Sequence, residues 1–301
     1  MSIVVVGSVA MDTIETPAGK IECGLGGSAT HFSLAASKFT SPRIVGIIGD
    51  DFPQDHLNML AENNIDIDGI KRVPGKTFQW SGVYGDDFGD PETLMTELGV
   101  FETFSPEIPD KYQDSPVLFL ANIAPSLQYD VVQKMPNVKF IGADTMNFWI
   151  EGVRDDLLRL IAEVDLLVIN ELEVRLLSGK ENFLEGARDV LDMGPNVLIA
   201  KRGANGSALI TANDYFMMHA YPVTRLTDPT GAGDSFAGGM MGYLAEIGKY
   251  DIDNLKKAMA YGTITASYGV GEFCTGALEN TSREIIDNRV EELRKMTQWN
   301  W

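Results

Sequence analysis

Cysteine is nearly missing: Cys23 and Cys274 are the only two in 301 residues, too few for a disulfide framework, so a stapled secreted domain is excluded. Positive charge is scarce as well. Against 43 acidic residues stand 24 basic ones, a net charge of −19 that argues against nucleic acid or an anionic membrane as a partner. A phosphate ligand would then need neutralising by a metal ion and backbone dipoles. Long hydrophobic runs are also lacking, since the apolar stretch Ile3 to Val6 is far too short for a signal peptide or a membrane span. No internal repeat or low-complexity linker divides the chain. One domain over residues 1–301, in the cytoplasm, is the expectation.

What is present is apolar mass and punctuation. At 45% hydrophobic the chain can build one generous core or two modest ones, and 30 glycines with 13 prolines scattered between apolar runs suit a fold with many short connections. Residues 2–8 (SIVVVGS) read as a buried parallel strand, and similar runs recur at 44–49, 117–121, 138–142, 166–170 and 197–201 with helical patterns between them. That rhythm predicts an α/β fold, a doubly wound and mainly parallel sheet. Helices are expected over 29–39, from Asp50-Asp51 through Leu57 and Leu60, and over 171–178, 233–248, 253–269 and 283–296. The last of these reads as structural.

Three segments fall outside the rhythm. Residues 13–23 look like a small hairpin, Lys76 to Tyr84 alternates Phe78, Trp80 and Tyr84 against Gln79, Ser81 and Val83, and Leu94 to Phe104 alternates again. They predict a separate small β-sheet, a lid formed by about 13–23 and 76–104 with its aromatics exposed on one side. Open α/β sheets gather ligands at the carboxyl ends of their strands, which singles out Asp12, Asn122, Asp144 and Asn147.

The chemistry concentrates in Asp228-Pro-Thr-Gly-Ala-Gly-Asp-Ser-Phe-Ala-Gly-Gly, residues 228–239. Pro229 biases Asp228 towards an extended conformation, and Gly231 and Gly233 permit a tight turn with close approach to a ligand. A helix that starts there offers the unpaired amides of Ala232, Gly233 and Asp234 to a phosphate or a developing oxyanion. The Asp234 carboxylate lies near that phosphate without binding it, which makes it a candidate general base for an attacking alcohol. A carboxylate placed in the first turn only to favour the helix dipole is the plainer reading. Gly238, Gly239 and Gly242 are expected to let this helix pack close to the sheet.

Two further glycine strings need weighing. Gly24-Leu-Gly-Gly-Ser-Ala-Thr-His31 formally satisfies a dinucleotide-binding pattern, but its strand has already ended near Ser8 and no acidic residue closes a second strand about twenty residues on, so a nicotinamide dehydrogenase is set aside. The Gly69 to Thr77 string has the wrong spacing for a phosphate-binding P-loop and precedes a strand.

The full 228–239 string resembles the signature of the ribokinase-like (PfkB) family of carbohydrate and nucleoside kinases, matching at Asp228, Thr230, Gly231, Ala232, Gly233, Asp234 and Phe236. The resemblance implies a ribokinase-like fold and an ATP-dependent phosphotransferase assisted by Mg²⁺. It assigns catalysis to Asp234 with Gly231, Ala232 and Gly233. Acceptor binding falls to Asp12, whose two oxygens suit a diol, and to Gly26 and Gly27, with Asn122 on the same edge. Asn170-Glu-Leu-Glu173 matches the family's Asn-x-x-Glu motif, so Glu173 would help hold Mg²⁺ through water, although a helix cap gives the same spacing. Lys201-Arg-Gly-Ala-Asn-Gly206 resembles the nucleotide loop, placing Lys201, Gly203 and Gly206 there with Asn170, and a Lys stands where many members have Thr. Asp228 and Thr230 would border a K⁺ site, and residues 269–276 the adenine.

Ser28 and His31 depart from ribokinase itself, which has a Lys and an Asn there, and so point away from ribose; His31 also reads as a structural group beside an apolar helix face. The expected activity is transfer of the γ-phosphoryl group to an alcohol of a sugar or polyol. A nucleoside kinase is the alternative, favoured by lid aromatics able to stack on a base. A non-catalytic sugar sensor on the same fold would not need the base. Exposed lid aromatics also predict a homodimer through the lid, as in several relatives.

Overall fold

All four residues of Ile3–Val6 are buried, as expected of consecutive apolar residues that present alternate side chains to opposite faces of a covered sheet. Ile3 and Val5 join one core, Val4 and Val6 the other. The computed structural model describes residues 1–298. Its strands are β1 Ile3–Val6, β2 Ala10–Thr16, β3 Gly19–Gly26, β4 Pro42–Gly49, β5 Asp66–Val73, β6 Phe78–Val83, β7 Glu92–Glu97, β8 Val117–Leu120, β9 Phe140–Ala143, β10 Leu166–Asn170, β11 Val197–Lys201, β12 Ser207–Ile210 and β13 Tyr215–Met218.

Nine of these form the large sheet in the order β13-β12-β11-β10-β9-β8-β1-β4-β5, parallel except at β12 and β13. From β1 the chain first builds outward through β4 and β5, then returns to the other side at β8. The switch point between β1 and β8 opens a crevice at the carboxyl ends. Helices Ser28–Ala36, Ala232–Ile247 and Ile252–Gly269 cover one face; Pro125–Lys134, Arg154–Ile161, Glu171–Ser178 and Phe183–Asp192 cover the other. No helix among the described residues is long and apolar enough to cross a membrane.

The second sheet, β3-β2-β6-β7, is the expected lid with revised limits. The hairpin begins at Ala10, so Asp12 lies within β2 rather than in a loop after β1, at an irregularity between Asp12 and Ile14. The alternation over 94–104 is a strand only to Glu97. Gly99, at φ 53°, turns the chain into a 3₁₀ helix over Gly99–Thr103, and Val100 in it and Phe104 just after it join the large-sheet core that holds Val4 and Val6. The lid aromatics are not exposed as expected. Tyr84 is buried with Ile14 and Cys274, Trp80 packs on that cluster, and Phe78 stacks on Phe101. The exposed apolar side chains are Leu94, Met95 and Leu98, on and just after the edge strand β7.

Three strands escaped the pattern. β5 (DIDGIKRV) is a charged edge strand, and β12 with β13 is a short antiparallel hairpin outside the βα rhythm. The glycine helix also packs differently from expectation. A Cβ on Gly238 would lie 2.2 Å from the Phe32 carbonyl oxygen and one on Gly242 2.8 Å from the Ala36 Cα, so these glycines seat the helix on Ser28–Ala36. Gly239 faces Thr265 in Ile252–Gly269. The contact is helix to helix because Met241 holds the position toward the sheet, its side chain 3.0 Å from a Cβ built on Gly142 of β9. Gly238→Ala is therefore expected to lower stability by about 1–3 kcal/mol or more, because rigid backbone cannot yield to the added methyl. Thermal melting checks it; an unchanged Tm would refute the close approach.

Candidate active site

Gly231 caps Ala232–Ile247 in the left-handed conformation, φ 71°; the Ala232 amide, expected to be free, donates to the Pro229 carbonyl at 3.1 Å because the tight turn folds back on itself, which leaves the Gly233 and Asp234 amides as the donors at the helix start. A Cβ there would lie 2.3 Å from the His31 ring, so the loop rests on that imidazole. His31 is buried, with Nε2 lacking a partner, and burial pushes its pKa down to about 4. Its ring packs under Gly231, and burial disfavours its charged form.

Asp234, in the first turn, is half-buried, and its pKa is pushed up to about 7 by burial and by Asp144, with Lys201 working the other way. A carboxylate poised there is suited to accept a proton near neutral pH. On the lid side, Asp12 is 5% exposed and raised to about 7 by burial and the charge of Asp228, while the Gly27 amide donates to it. A Cβ on Gly26 would lie 1.9 Å from Asp12 Oδ2, so Asp12, Gly26 and Gly27 do form one surface.

Three neighbouring strand ends supply the rest. After β9, Asp144 accepts a hydrogen bond from Lys201 Nζ at 2.9 Å, and Lys201 is the last residue of β11. Asn170 and Glu173 form a full capping box: Asn170 Oδ1 accepts from the Glu173 amide at 2.8 Å, and Glu173 Oε2 accepts from the Asn170 amide at 2.7 Å. Burial also raises the Glu173 pKa. Gly203 has open space where a Cβ would stand, and Gly206, φ 86°, lies against the Met218 carbonyl. A cavity of about 330 Å³ is lined by Tyr221, Arg225, Tyr268, Gly271, Glu272 and Arg289, beside the expected adenine loop.

Asn122 is turned elsewhere: its oxygen accepts from Trp149 Nε1 at 2.8 Å and its amide donates to Met146 Sδ at 3.0 Å. Its side chain is thus spent on Trp149 and Met146 rather than left free for a ligand. Asp228 is also engaged, accepting from the Thr230 amide at 2.9 Å and the Cys274 amide at 2.8 Å, while the Thr230 hydroxyl meets Tyr84 at 3.0 Å. The K⁺ expectation thus finds no support, since these groups are occupied in tying the lid and the 270s loop to the anion turn. Thr16 adds to this by donating to the Thr227 carbonyl at 2.8 Å. No sequence signal marked Tyr84, Thr16 or Cys274 as partners of this loop.

For Mg²⁺ the donor chemistry fits. Among the described residues no group of three or more His, Cys, Asp or Glu side chains is placed to hold a metal ion. Magnesium on nucleotide phosphates needs only one or two carboxylates with water, and Glu173 beside Asp144 offers hard oxygens in a cluster with excess negative charge.

The ligand-free site should leave a mark on stability. Asp12 and Asp234 shift from an ordinary 3.8 to about 7, and Glu173 shifts upward, so between those values the folded chain holds protons the unfolded chain has lost. Their stabilisation is full below the ordinary value and is lost as pH rises through about 7. His31 acts oppositely, losing stability as pH falls from 6.5 towards 4. The carboxylates outnumber it. Ligand-free protein is expected to melt a few degrees higher at about pH 5.5 than at about pH 8, on the order of 2 kcal/mol net in a water-filled cleft. A Tm that rises steadily over that interval would contradict it.

Comparisons with known proteins agree on one lineage. The family model for pfkB family carbohydrate kinases matches residues 1–277. The chain is 30% identical over 250 residues to a cytidine kinase of Thermococcus kodakarensis, covering 80% of this chain and 87% of that protein. A nucleoside kinase of Methanothermobacter thermautotrophicus is 26% identical over 282 residues, 92% of this chain and 86% of that one. A solved structure of a putative ribokinase II from E. coli, in complex with ATP and Mg²⁺, superposes with a TM-score of 0.78 at 20% identity, over 97% of this chain and 99% of that one.

Proposed function

The chain belongs to the pfkB family of carbohydrate kinases, and on that premise we propose that it transfers the γ-phosphoryl group of ATP to a hydroxyl of a small-molecule alcohol, with a nucleoside as favoured acceptor and a free sugar or polyol second. The observation that carries the phosphoryl-transfer reading is the turn Gly231–Asp234, where the Gly233 and Asp234 amides and a carboxylate raised to about 7 share one helix start. Asp234 takes the alcohol proton as the new oxygen–phosphorus bond forms and ADP departs. The amides meet the charge on the phosphoryl oxygens. Bound Mg²⁺ would neutralise charge across the phosphates, with Glu173 and its water shell holding it. Asp12 with Gly26 and Gly27 holds the acceptor's hydroxyls, and Lys201, Gly203 and Gly206 border the nucleotide. The nucleoside preference draws on the two relatives named as cytidine and nucleoside kinases, and it replaces the sugar or polyol that the sequence put first.

The test is a panel of nucleosides, sugars and polyols with ATP and Mg²⁺, read as ADP release. A nucleoside is expected to give the highest kcat/KM. A sugar that exceeds every nucleoside would transfer the acceptor to that class, and no turnover with any member would overturn the reading.

The dimer reading now rests on different residues. Leu94, Met95 and Leu98 are 60%, 41% and 42% exposed along a free strand edge, an arrangement that a second lid would cover. Light scattering is expected to give twice the 32.9 kDa of one chain at low micromolar concentration. A monomer alone would contradict it.

A further inference from the structure

Lys201 was expected in a loop that borders the nucleotide, yet its side chain does not follow that loop. It runs beneath the anion turn: Nζ would be 3.0 Å from a Cβ on Gly233, and it donates to Asp144 Oδ2 at 2.9 Å. The side chains are 19% and 7% exposed, so the pair is largely withdrawn from water. The backbone makes the meeting unavoidable. Strands β9, β10 and β11 are adjacent and parallel, with Asn170 paired to Lys201, and Asp144 follows β9 by one residue.

We infer that Lys201 is a catalytic residue that bonds the transferring phosphoryl group from below the Gly231–Asp234 turn, and that Asp144 is the positioning residue that holds its ammonium there. The inference rests on the kinase reading and adds the charge that reading lacks. Backbone amides supply dipoles, whereas the phosphoryl oxygens carry full negative charge next to Asp12, Asp144, Glu173 and Asp234. An ammonium has three donors, of which Asp144 takes one, leaving two for phosphoryl oxygens. In the transfer, the acceptor oxygen bonds phosphorus, the phosphorus–oxygen bond to ADP breaks, Asp234 receives the alcohol proton, and Lys201 keeps its own. The ion pair with Asp144 at 2.9 Å holds the ammonium in place beneath the turn.

The experiment compares Lys201→Met, Lys201→Arg, Lys201→Ala, Asp144→Asn and the Lys201→Met/Asp144→Asn double variant, each in the full chain with the best acceptor from the panel. Lys201→Met is expected to lower kcat by ~10²–10³-fold, the scale for loss of one charge-stabilising donor, with Kd for a non-hydrolysable ATP analogue changed much less. Asp144→Asn should lower kcat by roughly tenfold, and the double variant should be no worse than Lys201→Met because both act through one ammonium. Added alkylammonium ions should partly restore Lys201→Ala. The acidic limb of the pH–rate profile, set by Asp234, should move up in Lys201→Met and down in Asp144→Asn, a response that a structural role would not give; Asp12, Asp144 and Lys201 are the charges facing that group. An equal fall in analogue affinity and kcat/KM with kcat intact would return Lys201 to nucleotide binding and overturn the inference. So would unaltered kinetics in Asp144→Asn together with an unmoved pH profile. If Lys201→Met fails to fold, Lys201→Arg and Asp144→Asn carry the same comparison. Absence of turnover by the unaltered protein on the whole panel would overturn the kinase reading, and this inference with it.

Discussion

Asp234→Asn is expected to keep the fold and ATP binding while kcat falls by at least ~10²-fold, the usual scale for a positioned general base. The substitution keeps the size of the side chain and its place in the first turn after Gly231, so the Gly233 and Asp234 amides keep their place at the helix start. What it removes is a proton acceptor. The folded chain holds the wild-type carboxylate against burial and against Asp144, so exchange for a neutral amide relieves repulsion. Stability at about pH 8 should therefore be equal or higher in the variant, the pattern of a group kept for function at a cost in stability. The measurement pairs turnover with the best acceptor against thermal melting and the affinity of an ATP analogue. Near-normal turnover would remove Asp234 from the chemistry, whereas a collapse in Tm would make it a structural residue.

Asp12→Ala should show its loss on the acceptor. If the two carboxylate oxygens accept bonds from two substrate hydroxyls, truncation leaves those hydroxyls unpaired in a covered site, a loss of roughly 2 to 5 kcal/mol in transition-state binding. The Gly27 amide loses its partner as well, which the site tolerates only if water enters. Nucleotide affinity is the internal control, because the proposed nucleotide loop, with Gly203 and Gly206, lies in the turn before β12 and not in the lid sheet. Unchanged acceptor kinetics, or an equal loss in analogue affinity, would show that Asp12 acts only within the lid.

The sheet was legible in the sequence because its strands are buried on both faces. A run such as Ile3–Val6, or residues 197–200 of β11, has no polar position to spare, and that continuity is a local property of the chain. The anion turn was legible for a similar reason, since Gly231 at φ 71° is a demand made by a few consecutive residues. The edge strand β5 and the hairpin β12–β13 were not. Their pairing depends on a neighbour rather than on their own apolar pattern.

Within the site, the sequence by itself determined which groups stand at strand ends and helix starts, Asp144, Asn170, Lys201 and Asp234, whereas Asp12 proved to lie inside β2. It also determined that a carboxylate follows the glycine turn. Only the tertiary structure decided what those groups face. Trp80 and Tyr84 have the spacing of an exposed aromatic face, yet the 270s loop folds over them and Cys274 joins their cluster. Gly238 and Gly242 are small for a partner helix distant in sequence rather than for the sheet. Asn122 stands on the ligand edge but spends its amide on Trp149 and Met146. Lys201 and Asp144 become a pair because β9, β10 and β11 lie side by side. The physical reason is one of range. Backbone sterics and side-chain periodicity act over a few residues and are written in order along the chain, whereas register, burial and charge pairing join residues far apart and exist only once the sheet has assembled.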